Sequence, residues 1–426
     1  MLWLFGVMLG LFAIGTPIAW SMLFASGAYM VLGPGIPLHG MVQRMIGGID
    51  TFPLLAIPFF ILAGNLMNTG GITDRLLTFA RTLVGHITGG LAHVAVVGNM
   101  IMAGMSGSGV ADAAGTGSVL LPAMERAGYG RGFTAAIVGA ASTIGPIIPP
   151  SLPFVIYGSI ANASIGRLLL AGAIPGVLMG IMLMIFVYFI ARRRGYPSER
   201  RAAWPELGRA TLRALPPLGM PVIILGGIIG GIMTPTEAAS AGAAYAFILG
   251  FFVYKELSLR DLGKVIRDSA LSTAAIAIII SAAQPFGWVL TLVQAPQTLF
   301  AFFQTLQLSQ WQLYAILNVL FLIVGCFMEG IAVLVMAIPV IMPLILQAGI
   351  DPVHFGVVYT VNSMIGTITP PVGMIMYVVC ALGKVSIQEF TREVWPFLIA
   401  LTLALALVTY IPWLAMWLPD LLLPAR

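Results

Sequence analysis

The chain has 426 residues, of which 59% are hydrophobic and only 8% are charged. Soluble domains carry roughly 25% charged residues, so the composition excludes a soluble enzyme and predicts an all-α polytopic membrane protein of roughly ten spans. The net charge of +5 does not predict nucleic-acid binding, because the arginines gather in a few short loops, as membrane topology signals do.

The first predicted element is the apolar segment that begins at Met1. It lacks the positive region and the small-residue cleavage site of a secretory signal, so we interpret it as a membrane segment that stays in the mature protein. The two cysteines, Cys326 and Cys380, lie in apolar segments and predict neither a disulfide framework nor a zinc site.

A glycine-rich stretch from Gly104 to Gly117 lies between two basic loops, at residues 75–81 and 126–131. Because Lys and Arg collect in short cytoplasmic loops, this stretch is expected to enter and leave the membrane from one side. It therefore predicts a re-entrant helical hairpin with its tip at residues 106–109. The alternative is a full span with a glycine-rich packing face.

The segment STIGPIIPP at residues 142–150 predicts a broken membrane helix. Proline removes a backbone donor and glycine relaxes the restriction on φ, so carbonyl and amide groups are left unpaired where lipid cannot satisfy them. Such backbone persists only beside protein or a water-filled, ion-binding cavity. The alternative is that these prolines merely kink packed helices.

An arginine-rich segment begins at Arg192 and continues to Arg213. We predict a cytoplasmic linker over residues 192–215, part of it an amphipathic helix on the inner leaflet. The linker would separate a first repeat, residues 1–191, from a second repeat, residues 216–426. A regulatory or partner-docking role is the alternative to a simple topology signal.

The second repeat echoes the first at a shift of 221 residues, which is 363 minus 142. Identical residues at this shift include Gly104 with Gly325 and Pro122 with Pro343. The duplication predicts a second hairpin over residues 325–334, with its tip at Met328-Glu329-Gly330. It also predicts a second broken helix in the segment SMIGTITPP at residues 363–371.

Loop charges indicate that the two repeats have opposite orientations. Residues 292–310 and 347–354, the counterparts of the two basic loops, contain no Lys or Arg. Conversely, residues 255–267 carry four basic residues, whereas their counterpart, residues 33–50, carries one. The predicted fold is therefore two inverted-topology repeats, each with a re-entrant hairpin and a broken helix, an architecture that recurs in transporters.

Each hairpin tip and the broken helix of its own half would bring unpaired oxygen atoms together, which suits Na⁺. Two related Na⁺ sites are therefore predicted. Site 1 comprises Ser106, Gly107, Ser108, Gly145, Ile148 and Pro150. Site 2 comprises Gly325, Met328, Gly330, Gly366, Thr369 and Pro371.

Hydroxyl and amide side chains near the breaks are candidates for binding the polar groups of a substrate, with helix N-termini holding a carboxylate. They are Ser142, Thr143, Asn362, Ser363 and Thr367. Such side chains in membrane helices also satisfy their own backbone or bridge helices, and this alternative stays open.

Ionisable residues at membrane depth are functional by default, and this chain has few of them. Asp112 follows the first tip and is predicted to organise an ion site, with a helix cap or a structural acceptor as the alternative. Glu329 lies at the second tip, and Glu237 follows a Thr-Pro-Thr helix start. The sequence does not define the roles of these two glutamates, and proton coupling at Asp112 or Glu237 stays open.

Motifs of catalysis are missing from the sequence. There is no G-x-x-x-x-G-K-[ST] phosphate loop, and the four histidines include no H-E-x-x-H zinc motif. We therefore expect neither ATP hydrolysis nor another enzymatic activity from this chain.

Taken together, these segments resemble the large membrane (M) subunit of the TRAP (tripartite ATP-independent periplasmic) transporters. The resemblance rests on NTGGITDRL at residues 68–76, GMSGSGVAD at 104–112, IGPIIPP at 144–150, TPTEA at 234–238 and GTITPP at 366–371. It covers essentially the whole chain, and the tip and the two breaks are its most specific parts.

The resemblance implies a sodium-coupled importer of organic acids in the bacterial inner membrane, working by an elevator mechanism. Relatives of this kind take C4-dicarboxylates, sialic acid or other carboxylates. The resemblance also implies an extracytoplasmic substrate-binding (P) protein and a small membrane (Q) subunit, which we expect to be a separate polypeptide. The alternative function is a self-sufficient ion-coupled carboxylate transporter, or a Na⁺/H⁺ exchanger of related inverted-repeat fold.

Overall fold

The computed structural model describes residues 2–33 and 35–424, and within these ranges the chain is helical without a strand. The first half contains α1 (Leu2–Ala13), α2 (Ile18–Leu32), α3 (His39–Ile49), α4 (Ala56–Thr69), α5 (Ile72–Val84), α6 (Gly90–Ser106), α7 (Gly109–Arg126), α8 (Arg131–Ser142), α9 (Leu152–Ala161) and α10 (Ile165–Arg194). The second half contains α11 (Trp204–Ile229), α12 (Pro235–Ile248), α13 (Leu259–Leu292), α14 (Ala295–Thr305), α15 (Gln310–Gly325), α16 (Gly330–Gln347), α17 (Pro352–Gly366), α18 (Met374–Gly383), α19 (Ile387–Tyr410) and α20 (Trp413–Leu422).

Seven helices among the described residues are long and apolar enough to cross a membrane. The longest are α13 with 34 residues and α10 with 30 residues. Shorter apolar helices, among them α6, α9, α15 and α18, accompany them. A crossing interrupted by a break consists of two short helices, so the number of long helices is smaller than the number of crossings. The predicted all-α membrane fold is confirmed.

The helices of the second half repeat those of the first at the shift read from the sequence. Gly109 begins α7 and Gly330 begins α16, and 330 minus 109 is again 221. α8, α9 and α10 recur in the same order as α17, α18 and α19. Both helix breaks are present, between α8 and α9 and between α17 and α18, and each contains one cis prolyl bond, Pro149–Pro150 and Pro370–Pro371.

Two contacts between the halves show that the repeats are inverted. Arg131, which begins α8, donates to the carbonyl of Gly383, which ends α18, at 3.4 Å. Tyr157, near the end of α9, donates to the carbonyl of Pro352, which begins α17, at 2.6 Å. Because α8 corresponds to α17 and α9 to α18, the start of each broken helix meets the later part of the other, and the two broken helices run in opposite directions. This is the opposite orientation that the loop charges predicted.

The helices form an outer frame, α1–α5 with α11–α14, and an inner bundle, α6–α10 with α15–α20. In the frame, α12 packs on α4, α11 packs on α12 and α5, and α13 packs on α2, α3 and α4. In the inner bundle, α7 packs on α8 and α18, and α16 packs on α9 and α17. The two bodies meet mainly where α5 contacts α6 and where α13 contacts α16.

Helix α10 covers the first break, and glycines allow this close packing. A Cβ at Gly172 would collide with the carbonyl oxygen of Ile147, and a Cβ at Gly176 would collide with the side chain of Ile148. Small residues let helices approach at backbone distance in membrane proteins. The unpaired backbone of the break is therefore buried in protein, as irregular backbone at membrane depth must be.

Residues 195–203, between α10 and α11, are not helical. Glu199 ties this stretch to the α5–α6 loop, since its amide donates to the carbonyl of Gly85 at 2.9 Å and its carboxylate pairs with Arg81 at 2.6 Å. The amphipathic helix expected after the arginine run corresponds to the first turns of α11, which continues without interruption to Ile229. The repeat boundaries at residues 191 and 216 stay a prediction.

Candidate functional site

The first hairpin tip is a sharp turn that packs directly against the first break. α6 ends at Ser106, Gly107 adopts a left-handed φ of 60°, and Ser108 caps α7 by accepting the amide of Ala111 at 3.4 Å. A Cβ at Gly107 would lie 2.8 Å from the carbonyl oxygen of Pro150. Only glycine combines this backbone conformation with such a close approach.

Asp112 connects the tip to the break. The side chain is fully buried, and the Ser106 hydroxyl donates to Asp112 Oδ1 at 2.5 Å. The second oxygen, Oδ2, has no hydrogen-bond partner among the described residues. A Cβ at Gly145 would collide with this oxygen, so the unpaired carboxylate oxygen lies directly against the broken backbone.

The first break presents free carbonyl oxygens beside this carboxylate. Among residues 2–33 and 35–424, nothing donates a hydrogen bond to the carbonyls of Gly145, Ile148 or Pro150. The fold thus brings the tip and the break of predicted site 1 together, with oxygen atoms of the kind that hard cations bind. Its occupancy by Na⁺ stays a prediction.

The second tip and the second break also pack against each other, as closely as the first pair. A Cβ at Gly366 would lie 2.9 Å from backbone atoms of Gly325. The amide of Val372 donates to the carbonyl of Cys326 at 3.0 Å. The carbonyl of Pro371 accepts the Tyr377 hydroxyl at 3.0 Å, so part of this break is already hydrogen-bonded.

The remaining residues of predicted site 2 lie around the same contact. Gly330 begins α16, and its carbonyl accepts the Tyr359 hydroxyl at 2.9 Å. The Thr369 hydroxyl donates to the carbonyl of Ile365 at 2.7 Å, and Met328 lies in the turn before α16. Na⁺ binding at site 2 likewise stays a prediction.

The two halves differ in charge next to the break. The position equivalent to Asp112 is Val333, because 112 plus 221 is 333. Glu329 lies four residues earlier and caps α16, accepting the amide of Ala332 at 2.9 Å. Site 1 therefore has a buried carboxylate at a place where site 2 has an apolar side chain.

A cavity of about 330 Å³ lies between the two tips and the two breaks. Helix N-termini line it on several sides: Ser108 and Gly109 of α7, Leu152 and Pro153 of α9, Glu329 and Ile331 at α16, and Met374 and Ile375 of α18. The described lining contains no Lys or Arg. Each helix N-terminus carries partial positive charge, which favours an anion, and the one charged side chain of the described lining, the Glu329 carboxylate, accepts the amide of Ala332 at the start of α16.

The five predicted substrate residues lie in different surroundings. Thr367 lines the cavity, whereas the described lining does not include the other four. The hydroxyls of Ser142 and Thr143 donate to their own helix, at the carbonyls of Gly139 and Ala140. Asn362 donates to Asn318 at 2.9 Å. Ser363 is buried, and its hydroxyl lies against Gly330.

Two polar residues from the outer frame line the cavity and had not been singled out from the sequence. Asn65 of α4 and Ser272 of α13 face it, and the Asn65 amide also donates to the Ser269 hydroxyl at 2.9 Å. An asparagine within an apolar helix is itself a signal, because amides at membrane depth need partners. Only the pairing of α4 with α13 shows which partner it has.

Glu237 lies outside the cavity and caps α12. Its carboxylate accepts the Thr234 amide at 2.7 Å and the Thr234 hydroxyl at 2.8 Å, while the Glu237 amide donates back to that hydroxyl at 3.3 Å. This reciprocal arrangement is a capping box. It provides a structural role for Glu237 at the start of the helix.

Comparisons with known proteins agree with this architecture. The sequence matches the family described as "Tripartite ATP-independent periplasmic transporter, DctM component" over residues 5–414. It is 43% identical to a sialic acid TRAP transporter large permease protein of Vibrio cholerae, covering 97% of both chains. It is 39% identical to a C4-dicarboxylate TRAP transporter large permease protein of Pseudomonas aeruginosa, covering 90% of both.

A solved structure has a related fold at low sequence identity. The YdaH transporter of Alcanivorax borkumensis superposes with a TM-score of 0.62 at 15% identity, over 91% of each chain. Its likeness concerns the fold alone, whereas the matched family and the permease relatives extend along nearly the whole sequence. The chain therefore belongs to the DctM family, the large permease subunits of the tripartite ATP-independent periplasmic transporters.

Proposed function

We propose that this chain is the permease subunit of a sodium-coupled importer of organic acids in the bacterial inner membrane. The observation that carries the proposal is the convergence of both hairpin tips and both helix breaks on one cavity. Binding sites of secondary transporters lie where broken helices of two inverted repeats meet. The matched relatives are named as transporter permeases, and none of the features above requires catalysis.

The coupling ion is proposed to be Na⁺, bound first at site 1. The support is chemical: the free carbonyls of Gly145, Ile148 and Pro150 lie beside a carboxylate with one unpaired oxygen. Hard cations take such oxygen ligands. An unpaired buried carboxylate oxygen is costly unless a positive charge or a donor compensates it. Site 2, formed by two packed glycines and the second break, would take the second ion.

The substrate is proposed to be an organic anion held without a cationic side chain. Helix N-termini surround the cavity, and their partial charges would bind a carboxylate while hydroxyls such as Thr367 orient it. Bound Na⁺ would add positive charge close by. The substrate classes in the relatives' names, sialic acid and C4-dicarboxylates, are both carboxylates and give the first compounds to test.

An elevator movement of the inner bundle against the outer frame is proposed for the transport step. Ile61, Gly64 and Asn65 of α4 and Ser272 and Ile276 of α13 close one side of the cavity. The substrate would therefore sit at the boundary between the two bodies. Displacement of the inner bundle along that boundary would carry the cavity from one membrane side to the other.

The proposal includes two partners, a small membrane subunit and an extracytoplasmic substrate-binding protein. It is supported by the word "tripartite" in the family's description and by relatives named as large permease proteins. The second candidate function, a self-sufficient carboxylate transporter, is favoured only by the completeness of the cavity within this one chain. A requirement for a binding protein distinguishes the two.

Uptake by proteoliposomes tests the function. The full chain is reconstituted together with the proposed small membrane subunit, and uptake of radiolabelled sialic acid and succinate is measured under an inward Na⁺ gradient. We expect uptake only when the cognate binding protein is present outside and the gradient is Na⁺, not K⁺. Uptake by the chain alone would favour the second candidate, and uptake without any ion gradient would contradict both.

A further inference from the structure

A second cavity, of about 870 Å³, lies on the side of the molecule that carries the arginine-rich linker. We call it the linker cleft; it is enclosed by the start of α5, the first turns of α11 and the loop after α12. Its charged residues are Asp74, Arg75, Glu206, Arg209, Arg213 and Glu256. It is separate from the cavity between the tips and has no part in the proposed transport path.

Two of these six charges are paired with each other inside the protein. Arg75 pairs with Glu256 at 2.6 Å, and its guanidinium stacks 4.0 Å from the centre of the Tyr254 ring. Glu206 accepts the amide of Ala203 at 3.0 Å at the start of α11. The Arg75–Glu256 pair forms one wall of the cleft and joins α5 to the loop after α12, whereas Glu206 and Ala203 both belong to the start of α11.

Of the other four charges, Glu206 is bonded only to a backbone amide, and Asp74, Arg209 and Arg213 have no ion pair in the described part of the chain. Arg209 donates only to the carbonyl of Pro205 in its own helix, at 3.3 Å. For the Arg213 guanidinium and the Asp74 carboxylate, the described part of the chain provides no hydrogen bond or ion pair. The six charges of the lining sum to zero, but within the described part of the chain the guanidinium groups of Arg209 and Arg213 have no carboxylate partner and line the cleft together.

Exposed apolar side chains accompany the two arginines on α11, as is typical of a helix at the membrane interface. Arg209 and Arg213 are four residues apart, so they share one face of the helix. Leu212, three residues after Arg209, is 70% exposed, and Leu215, on the far side of the helix from Arg213, is 59% exposed, as expected for side chains that contact lipid tails. Trp204, 83% exposed at the start of the helix, is typical of the membrane interface.

We infer that the linker cleft binds a phosphate group through Arg209 and Arg213. Guanidinium groups bind phosphate oxygens with charge-assisted, often bidentate hydrogen bonds. The exposed Trp204, Leu212 and Leu215 beside the site favour the head group of an anionic inner-leaflet phospholipid, since basic residues at the membrane surface attract anionic lipids. A soluble phosphate ester would satisfy the same two side chains. Bound phosphate would join α11 to the wall formed by Arg75 and Glu256.

Lipid retention in nanodiscs tests the site. The full chain is placed in phosphatidylcholine nanodiscs doped with phosphatidylglycerol, and the phosphatidylglycerol that remains bound is counted by native mass spectrometry. We expect the Arg209→Gln/Arg213→Gln variant to retain phosphatidylglycerol about tenfold less strongly. The matched control is Arg200→Gln/Arg201→Gln, which removes the same charge from exposed linker positions outside the cleft.

A third variant removes a negative charge from the cleft, where the arginine variant removes positive charge. Asp74→Asn removes the carboxylate that opposes the phosphate, so we expect it to strengthen retention severalfold. A second arm adds glycerol phosphate to the chain in nanodiscs of pure phosphatidylcholine and measures thermal stabilisation. Stabilisation that Arg209→Gln/Arg213→Gln abolishes would assign a soluble source for the phosphate. Equal behaviour of the two arginine variants in both arms would overturn the inference.

Discussion

Gly366 and Gly325 pack backbone against backbone where the second break meets the second hairpin. A Cβ added at Gly366 would lie 2.9 Å from the Cα, carbonyl carbon and carbonyl oxygen of Gly325. Backbone atoms of two packed helices cannot move aside as a flexible side chain can, so even one methyl group must push the tip away from the break.

The first prediction follows from this contact. Gly366→Ala should weaken the apparent affinity for Na⁺ about tenfold, because overpacking costs on the order of 1–3 kcal/mol and displaces the oxygens of site 2. The measurement is uptake as a function of Na⁺ concentration in proteoliposomes. Gly226→Ala is the control, since a Cβ there meets nothing within 4 Å. Unchanged sodium activation in Gly366→Ala would remove site 2 as assigned.

The second prediction concerns the carboxylate of Asp112. Asp112→Asn keeps an oxygen for the Ser106 hydroxyl but removes the charge beside Gly145. Because this charge balances a cation in the proposed site 1, the Na⁺ concentration that gives half-maximal uptake should rise about tenfold or more. Thermal stability measured without Na⁺ should stay the same or rise, because an unpaired buried charge has been removed.

The same measurements distinguish the alternatives for Asp112. A purely structural acceptor predicts lower stability with unchanged Na⁺ dependence in Asp112→Asn. Asp268→Asn serves as the control, because it removes the same negative charge from an exposed position away from the site. An effect of equal size in both variants would mean that the cation responds to the overall charge of the protein and not to this site.

The local features of the fold could be predicted because single residue types determine them. Gly107 and the paired prolines of each break define where helices end, since no other residue combines these backbone requirements. The 221-residue shift then identified the second tip and the second break from the first. The inverted orientation followed from loop charge alone, and the contact of Arg131 with Gly383 agrees with it.

The composition of the cavity could not be predicted, because it depends on packing between distant segments. Ser142 and Thr143 lie beside the break in sequence, yet their hydroxyls bond to the preceding turn of α8, as such side chains commonly do. Asn65, far away in sequence, lines the cavity. Proximity to a motif in the sequence therefore indicated the correct region of the fold, but it did not show which side chains line the cavity.

The third prediction tests the cavity itself. Ala114 of α7 lines it and is solvent-exposed, so Ala114→Phe should place a phenyl ring in the space without disturbing packed neighbours. We expect uptake to fall at least about tenfold, because a cavity of this size has little volume to spare. Ala114→Ser is the control and should transport normally. Normal uptake by Ala114→Phe would place the substrate elsewhere.

The last prediction tests movement between the outer frame and the inner bundle. Gly287 of α13 faces Pro339 of α16, and a Cβ at Gly287 would lie 3.7 Å from the Cβ of Pro339. Disulfides form at Cβ separations of about 3.5–4.5 Å. Gly287→Cys/Pro339→Cys, made in a Cys326→Ala/Cys380→Ala background, should therefore cross-link the frame to the second hairpin.

An elevator requires α16 to move past α13, so oxidation of this pair should abolish uptake and a reductant should restore it. Each single cysteine variant should transport under both conditions. Gly250→Cys/Leu257→Cys provides a matched cross-link within the frame, where a Cβ at Gly250 would lie 3.6 Å from that of Leu257, and it should leave uptake intact. Full uptake by the oxidised Gly287→Cys/Pro339→Cys protein would show that α13 and α16 stay together during transport, and a gating movement of the tips alone would then be required.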